Sequence, residues 1–304
     1  MRSADMLSGL HILHSQALKL VETYRARDPE RWGRAHPPAP PDADMTVRVV
    51  IPLIARARAT DWARVSANLA ATLASLERQT SDAWTVTVCG QDRPEGIAFD
   101  GDRLRFLPFP IPPLAVNSDK PRKLRFLVRD AAKGPARDGY IFPLDGDDLL
   151  HPSLLAHVVR DNNGHGYLMD RGYLISLSDG LVAPAMDPAL TGRNTTPLHL
   201  QCGSTSILRF DLRRGRGAAI PVLARGKHRE VPDRMARFGQ HLRPVPFPAV
   251  LYNVGHGENL QTIRGYGARK IAYLRKHAIP DPGFEDVCTE FGLRGATSHG
   301  KGHR

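Results

Sequence analysis

Apolar positions in the middle of this chain follow two alternating periods. Val47, Val49, Val50 and Ile51 form a β-branched run stopped by Pro52, which predicts a strand buried on both faces. Over residues 61–79 the spacing changes. Trp62, Val65, Leu69, Leu73 and Leu76 recur at helical intervals and predict an amphipathic helix. The segment Trp84-Thr85-Val86-Thr87-Val88-Cys89 predicts a second strand, ending at Gly90-Gln91-Asp92, and residues 104–107 a third. Residues 119–133 predict another helix, with Leu124, Leu127, Val128 and Ala131 inward. The strand 139–144 then runs directly into Asp145-Gly146-Asp147-Asp148, and a helix over 152–161 follows, with Pro152 in its first turn. Strands alternating with helices imply an α/β fold built on an open, mostly parallel sheet flanked by helices. Such sheets bind ligands at the carboxyl ends of their strands, where Asp92 and the acidic run both fall.

The flanks differ. Residues 6–27 predict an amphipathic helix, and His-Pro-Pro-Ala-Pro-Pro-Asp-Ala-Asp at 36–44 breaks regular structure, because proline fixes φ and removes donors. Residues 1–44 are therefore expected to be an appended helix and linker, 45–260 the main domain, and 261–304 a basic helix and tail. Met45 stands where a clean domain start begins and is a candidate initiator. Beyond 165 the pattern loosens. It suggests a hairpin from 167–169 and 173–177, a strand over 202–210, a mobile Gly/Arg-rich stretch at 211–230, a short strand at 250–254, a helix at 262–278 and a frayed tail from about 293.

Composition narrows the choices. The chain has 304 residues, enough for one large α/β domain. No apolar run approaches the roughly 20 residues that span a bilayer, and the N-terminal stretch lacks a cleavage pattern, so a cytoplasmic location is expected. Cys89, Cys202 and Cys288 are too far apart for a zinc knuckle or disulfide framework, and the 13 histidines include no H-E-x-x-H. The net charge of +11 sits on dispersed arginines, clustered only at Arg213, Arg214 and Arg216, without interleaved aromatics. Nucleic-acid binding is therefore not expected.

Three carboxylates within four residues repel one another unless a cation compensates. Hard oxygen ligands suit Mg²⁺ or Mn²⁺, and Mg²⁺ completes its shell with water and phosphate oxygens. A calcium loop begun at Asp145 would need glycine sixth and glutamate twelfth, but Leu150 and Ala156 stand there. The competing reading is a solvated acidic turn capping the next helix.

The run Asp-Gly-Tyr-Ile-Phe-Pro-Leu-Asp-Gly-Asp-Asp-Leu-Leu-His-Pro resembles the Asp-x-Asp segment of GT-A-fold glycosyltransferases, particularly family 2. Val-Arg-Val-Val-Ile-Pro-Leu is similar to that family's first strand and nucleotide-binding turn. The resemblance spans about 45–260 and is specific over 139–152. It implies a metal-dependent enzyme moving a sugar from a nucleotide-diphospho donor to a hydroxyl acceptor, with inversion. Pro52 and Leu53 would line the base pocket and Asp92 bond the base. Asp145 would contact ribose or metal, Asp147 serve as chief metal ligand, and Asp148 support the metal or touch the sugar. Lys120, Arg122 and Lys123 would face the diphosphate or form a solvated helix end. His256, between Gly255 and Gly257, is either a further metal or diphosphate ligand or a simple loop residue. Gly203-Ser204-Thr205 would border the acceptor or form a turn.

The chain departs from the family's pattern at the base, where no Glu-Asp pair occurs. Glu230 and Asp233 are the candidates, with Asp233 placed at an acidic helix start; each is equally readable as a surface charge. Two other functions compete. A nucleotidyltransferase would carry a glycine-rich phosphate loop after the first strand, but Leu-Ile-Ala-Arg-Ala-Arg-Ala-Thr stands there. A degenerate module would bind sugar nucleotides without turnover. The basic helix at 262–278 also suggests peripheral contact with an anionic membrane.

Overall fold

The computed structural model describes residues 31, 37, 39–99, 101–113, 119–185, 197–213, 217–225, 227–258 and 267–293. The expected helix at 6–27 lies outside them. Parallel strands β1 (Val47–Pro52), β2 (Trp84–Gly90), β3 (Leu104–Pro108) and β4 (Tyr140–Pro143) form the centre of a seven-stranded sheet. β1 lies between β2 and β4 and is parallel to both. Beyond β4 come β9 (Ser206–Arg209), antiparallel to both its neighbours, then β6 (Gly166–Leu168) and β10 (Arg243–Pro244), giving the order β10-β6-β9-β4-β1-β2-β3.

The β-branched runs are buried on both faces, as predicted, and successive residues serve different cores. Val47, Val49 and Ile51 pack with Leu69, Leu73 and Leu76 of helix α1 (Trp62–Glu77). Val50 and Ile141 point the other way, toward Leu127 and Val128 of α2 (Lys120–Ala131) and Ile220 and Leu223 of α4 (Ala219–Arg225). Full burial of each such leucine stabilises by about 2 kcal/mol. Asp61 caps α1 by accepting from Arg64 N at 3.0 Å. The result is the open, mostly parallel α/β sheet with helices on both faces. Because β1, β2 and β4 run the same way, the loops leaving them open at one edge.

A second sheet, in the order β5-β11-β7-β8, holds β5 (Leu149–Leu150), β7 (Tyr173–Ser176), β8 (Leu181–Pro184) and β11 (Val250–Asn253). Leu150, Leu174, Val250 and Tyr252 on one face join the main core. Leu149, Ile175, Val182 and Leu251 on the other are covered by Val287, Cys288 and Phe291, which lie on or just beyond α7 (Gly283–Glu290). The helix expected over 152–161 forms as α3, Leu154–Asp161, so that Pro152 and Ser153 precede it in a turn.

Four expectations change. Residues 167–169 and 173–177 do not form a hairpin: β6 pairs with β9 and β10 in the large sheet, β7 with β11 and β8 in the small one. The stretch 211–230 is ordered at α4, because Ala218, Ala219, Ile220, Val222 and Leu223 are buried against the sheet. The strand expected over 202–210 starts only at Ser206, since residues 202–205 turn toward the acidic loop. Within 262–278, the described helix α6 (Gly267–Lys276) is not simply a basic surface helix: Leu274 is fully buried, with Ile271 and Tyr273 packed beside it.

Residues just before Met45 also pack on the domain. Asp42 N donates to Asp138 Oδ2 at 2.9 Å, and Arg213 reaches Asp42 Oδ1 at 2.6 Å. Asp138 in turn pairs with the fully buried Arg209 at 2.6 Å. Among the described residues, no helix is long and apolar enough to cross a membrane.

Candidate functional site

The buried strand β4 delivers Asp145, Gly146, Asp147 and Asp148 to the carboxyl edge of the sheet, and β5 removes the chain at once. One oxygen from each of Asp145, Asp147 and Asp148 lies within 4.8 Å of the others. The three side chains are held differently. Asp145 is ion-paired to Lys120 Nζ, and its N–H donates to Ser204 Oγ at 2.9 Å. Asp147 Oδ2 lies 3.1 Å from His256 Nε2. Asp148 is completely buried; its Oδ2 accepts from Ser204 Oγ and from Cys202 Sγ at 3.1 Å. Its Oδ1 is buried with no hydrogen-bond partner among the described residues.

That last atom tests whether the cluster fits a metal. A carboxylate oxygen that is shut away from water and unpaired costs free energy unless it is protonated or ligates a cation. Burial, then the neighbouring Asp147 and Asp145, push the Asp148 carboxyl well above the usual carboxylate range, although the Ser204 and Cys202 bonds oppose this. Burial likewise raises the Cys202 thiol, followed by Asp148 and Asp145, so Cys202 is a neutral donor here. Lys120 supplies one compensating charge. Burial disfavours its ammonium, but Asp145 and then Asp147 outweigh this and hold its pKa above the ordinary value. A set of three carboxylates with one unused buried oxygen fits a hard divalent cation such as Mg²⁺ or Mn²⁺.

Glycines permit the arrangement at two places. A Cβ on Gly203 would stand 2.7 Å from Asp145 Oδ2 and 3.0 Å from Lys120 Nζ, so a side chain there would shift the ion pair. Gly255 and Gly257 have φ of 87° and 84°, and this left-handed backbone turns His256 inward. Glu258 N donates to His256 Nδ1 at 3.3 Å, which leaves Nε2 as the protonated nitrogen facing Asp147. Glu258 then accepts from Thr60 N and Asp61 N, tying this loop to the start of α1.

The remaining expected residues are dispersed. Pro52 and Leu53 end β1 beside Gly90, and Asp92 Oδ2 accepts from Arg56 N at 2.8 Å, fixing the turn after β1. Lys123 is fully buried rather than facing outward. Its Nζ donates to Leu53 O at 2.5 Å and pairs with Asp119 at 2.9 Å, so it props the turn at Leu53. Glu230 and Asp233 are both exposed. Glu230 lies 3.7 Å from Arg234, and Asp233 sits in the first turn of α5 (Val231–Arg237), where its charge acts on His199. The 3-10 turn ending at Glu230 does border the site, because burial and then Lys120 depress the His228 imidazole while Asp145 opposes them.

Sequence reasoning missed Tyr252 and Lys270. Tyr252 is buried in β11, and Lys270 Nζ on α6 donates to its hydroxyl at 2.5 Å. Neither residue carries a local signal. Ser204 was visible as part of a small-residue turn, but its two bonds to the acidic loop were not.

No protein-family model matches the chain, and no curated protein matches it in sequence. Among solved structures, the chain is similar to the crystal structure of 4-diphosphocytidyl-2C-methyl-D-erythritol synthase at 11% identity and a TM-score of 0.34, over 75% of this chain and 98% of that one. So slight a likeness has no bearing on function, which is read from the residues themselves.

Proposed function

We propose that the chain is a metal-dependent glycosyltransferase that moves a sugar from a nucleotide-diphospho donor to a hydroxyl acceptor, with inversion. The observation that carries the reading is the convergence of Asp145, Asp147 and Asp148 at the carboxyl end of β4, with the Asp148 Oδ1 buried and unpartnered. The GT-A resemblance of residues 139–152 supports the donor class. In this reading Asp147, Asp145 and Asp148 hold Mg²⁺ or Mn²⁺, with His256 donating to Asp147. The bound metal supplies positive charge to the diphosphate as it leaves. Ser204 and Cys202 orient Asp148. Pro52, Leu53 and Asp92 form the base pocket, and Lys123 holds Leu53 in place. Asp233 takes the acceptor proton, with Glu230 the alternative carboxylate. The protein's remaining contribution is positioning. The proposed location is cytoplasmic, with the exposed Arg269, Arg275 and Lys276 of α6 available to anionic lipid.

Calorimetric titration with UDP, GDP and TDP in Mn²⁺ tests donor binding; failure of all three sinks the reading. Donor hydrolysis is expected to be lost in Asp147→Ala and kept in Asp82→Ala, which alters an exposed carboxylate paired with Arg103. Release of pyrophosphate from a nucleoside triphosphate in the presence of a sugar phosphate, with no nucleoside diphosphate released from nucleotide sugars, would make the chain a nucleotidyltransferase. Binding without release would make it a binding module.

A further inference from the structure

Lys270 is a half-buried cation with an unusual partner. Its Nζ donates to the Tyr252 hydroxyl and lies 3.9 Å from the centroid of that ring. Among the described residues no carboxylate forms an ion pair with it. An ammonium carries three donors, and one phenol satisfies only one of them. Drawing such a group partly out of water is costly unless an anion completes it.

Its surroundings identify that anion. β11 is antiparallel to β5, with Leu251 opposite Leu149; extending that register by one step sets Tyr252 across from Asp148. Tyr252 thus carries Lys270 to the acidic loop. Burial lowers the Lys270 ammonium to about 8, and the charges around it are mixed: Asp148 and Asp147 raise it while Arg229 lowers it. Lys120, the other nearby lysine, is committed to Asp145. Three carboxylates that suit a cation and Lys270, which suits an anion, therefore meet across Tyr252. A ligand that carries a divalent metal on one side and exposes further anionic oxygens on the other meets both demands at once.

We infer that Lys270, held by Tyr252, is a diphosphate-binding residue of this site, gripping phosphate oxygens from the side opposite the acidic cluster. The inference rests on the metal–diphosphate reading above and adds a residue from α6, outside the segment that carries the family resemblance. It assigns the C-terminal helix a direct part in ligand binding.

The test uses the full chain and inorganic pyrophosphate with Mg²⁺, a probe that needs no knowledge of base or sugar. Titration calorimetry is run on wild type, Lys270→Met, Lys270→Arg and Tyr252→Phe, and thermal unfolding of each variant checks the fold. Lys270→Met is expected to weaken magnesium pyrophosphate about tenfold or more while leaving the affinity for Mg²⁺ alone unchanged or higher. Lys270→Arg should recover most of the loss, because it restores the charge. Tyr252→Phe should give an intermediate loss. A Lys270→Met protein that binds magnesium pyrophosphate as tightly as wild type overturns the assignment and leaves the metal–diphosphate reading standing. A folded wild type that binds Mg²⁺ but no pyrophosphate overturns both. Equal losses for Mg²⁺ alone and for magnesium pyrophosphate in folded Lys270→Met would reduce Lys270 to a structural support and also overturn it.

Discussion

Ser204→Ala and Ser206→Ala are the same chemical change two residues apart, yet they should behave differently. Both hydroxyls are buried. Ser204 Oγ donates to the Asp148 carboxylate and accepts from Asp145 N. Ser206 Oγ has no partner among the described residues. Deleting the Ser204 hydroxyl removes a hydrogen bond to a charged group, worth about 1.5–3 kcal/mol, and leaves a half-buried N–H unpaired at a further cost of about 1 kcal/mol. Asp148 would keep only the weak donor Cys202 Sγ. The expected loss is about 3 kcal/mol, equivalent to a fall in Tm of roughly 5 °C for a chain of this size. Deleting the Ser206 hydroxyl removes an unpaired polar atom and should change stability by no more than about 0.5 kcal/mol, or raise it. Urea and thermal denaturation in EDTA measure both variants without metal. If the two shift alike, or if Ser204→Ala stays within about 0.5 kcal/mol of wild type, the account of how the acidic loop is held is wrong.

Two further outcomes follow from the same loop. The Asp148 carboxyl is raised in the folded protein, chiefly by burial, so the folded state binds that proton more tightly than the unfolded chain. This group's stabilisation is complete below about pH 4 and declines as pH rises through the folded value. The half-buried His151, His157 and His165, lowered mainly by desolvation, slope the opposite way: they favour the fold above about pH 6.5 and lose that contribution on acidification. The difference between Asp148→Asn and wild type cancels the histidine contribution. In EDTA, Asp148→Asn should gain stability on wild type between pH 4 and 8, and saturating Mg²⁺ should reverse the gain; a gap that is constant with pH refutes this. Gly203→Ala places a Cβ 2.7 Å from Asp145 Oδ2 and must displace the Asp145–Lys120 pair. Mn²⁺ affinity followed by electron paramagnetic resonance should fall about tenfold, as when the support of a metal ligand is disturbed. An unchanged affinity would show that Asp145 need not be held where it is.

Much of the architecture was legible because its elements are long and periodic. The runs at Val47 and Trp84, the stripe through Leu69 and Leu73, and the strand ending at Asp145 each bury a face that only one secondary structure can present. The short strands were not legible. β6 has 3 residues and pairs with β9 and β10, more than thirty residues away; β7 has 4 and turns back locally onto β8, but β11, more than seventy residues on, sets the sheet it joins, so no local turn signal could report which sheet each belongs to. The stretch at 211–230 looked mobile because of its glycines and arginines, and the apolar group at Ala218–Leu223 declared itself only through the sheet it covers.

The same division runs through the site. Asp145, Asp147 and Asp148 could be found in sequence because their ligand spacing lies within one loop, and strand direction alone put that loop at the binding edge. Contacts made across the fold needed tertiary structure: Ser204 under Asp148, His256 on Asp147, Glu258 at the start of α1, and Lys270 against Tyr252. It also turned Lys123 inward, where the Leu53 carbonyl and Asp119 satisfy its charge better than an open helix end would. Local sequence determined which groups are charged and which way the strands run. Only the folded chain decided which charges are buried, since burial depends on packing from segments far away in sequence.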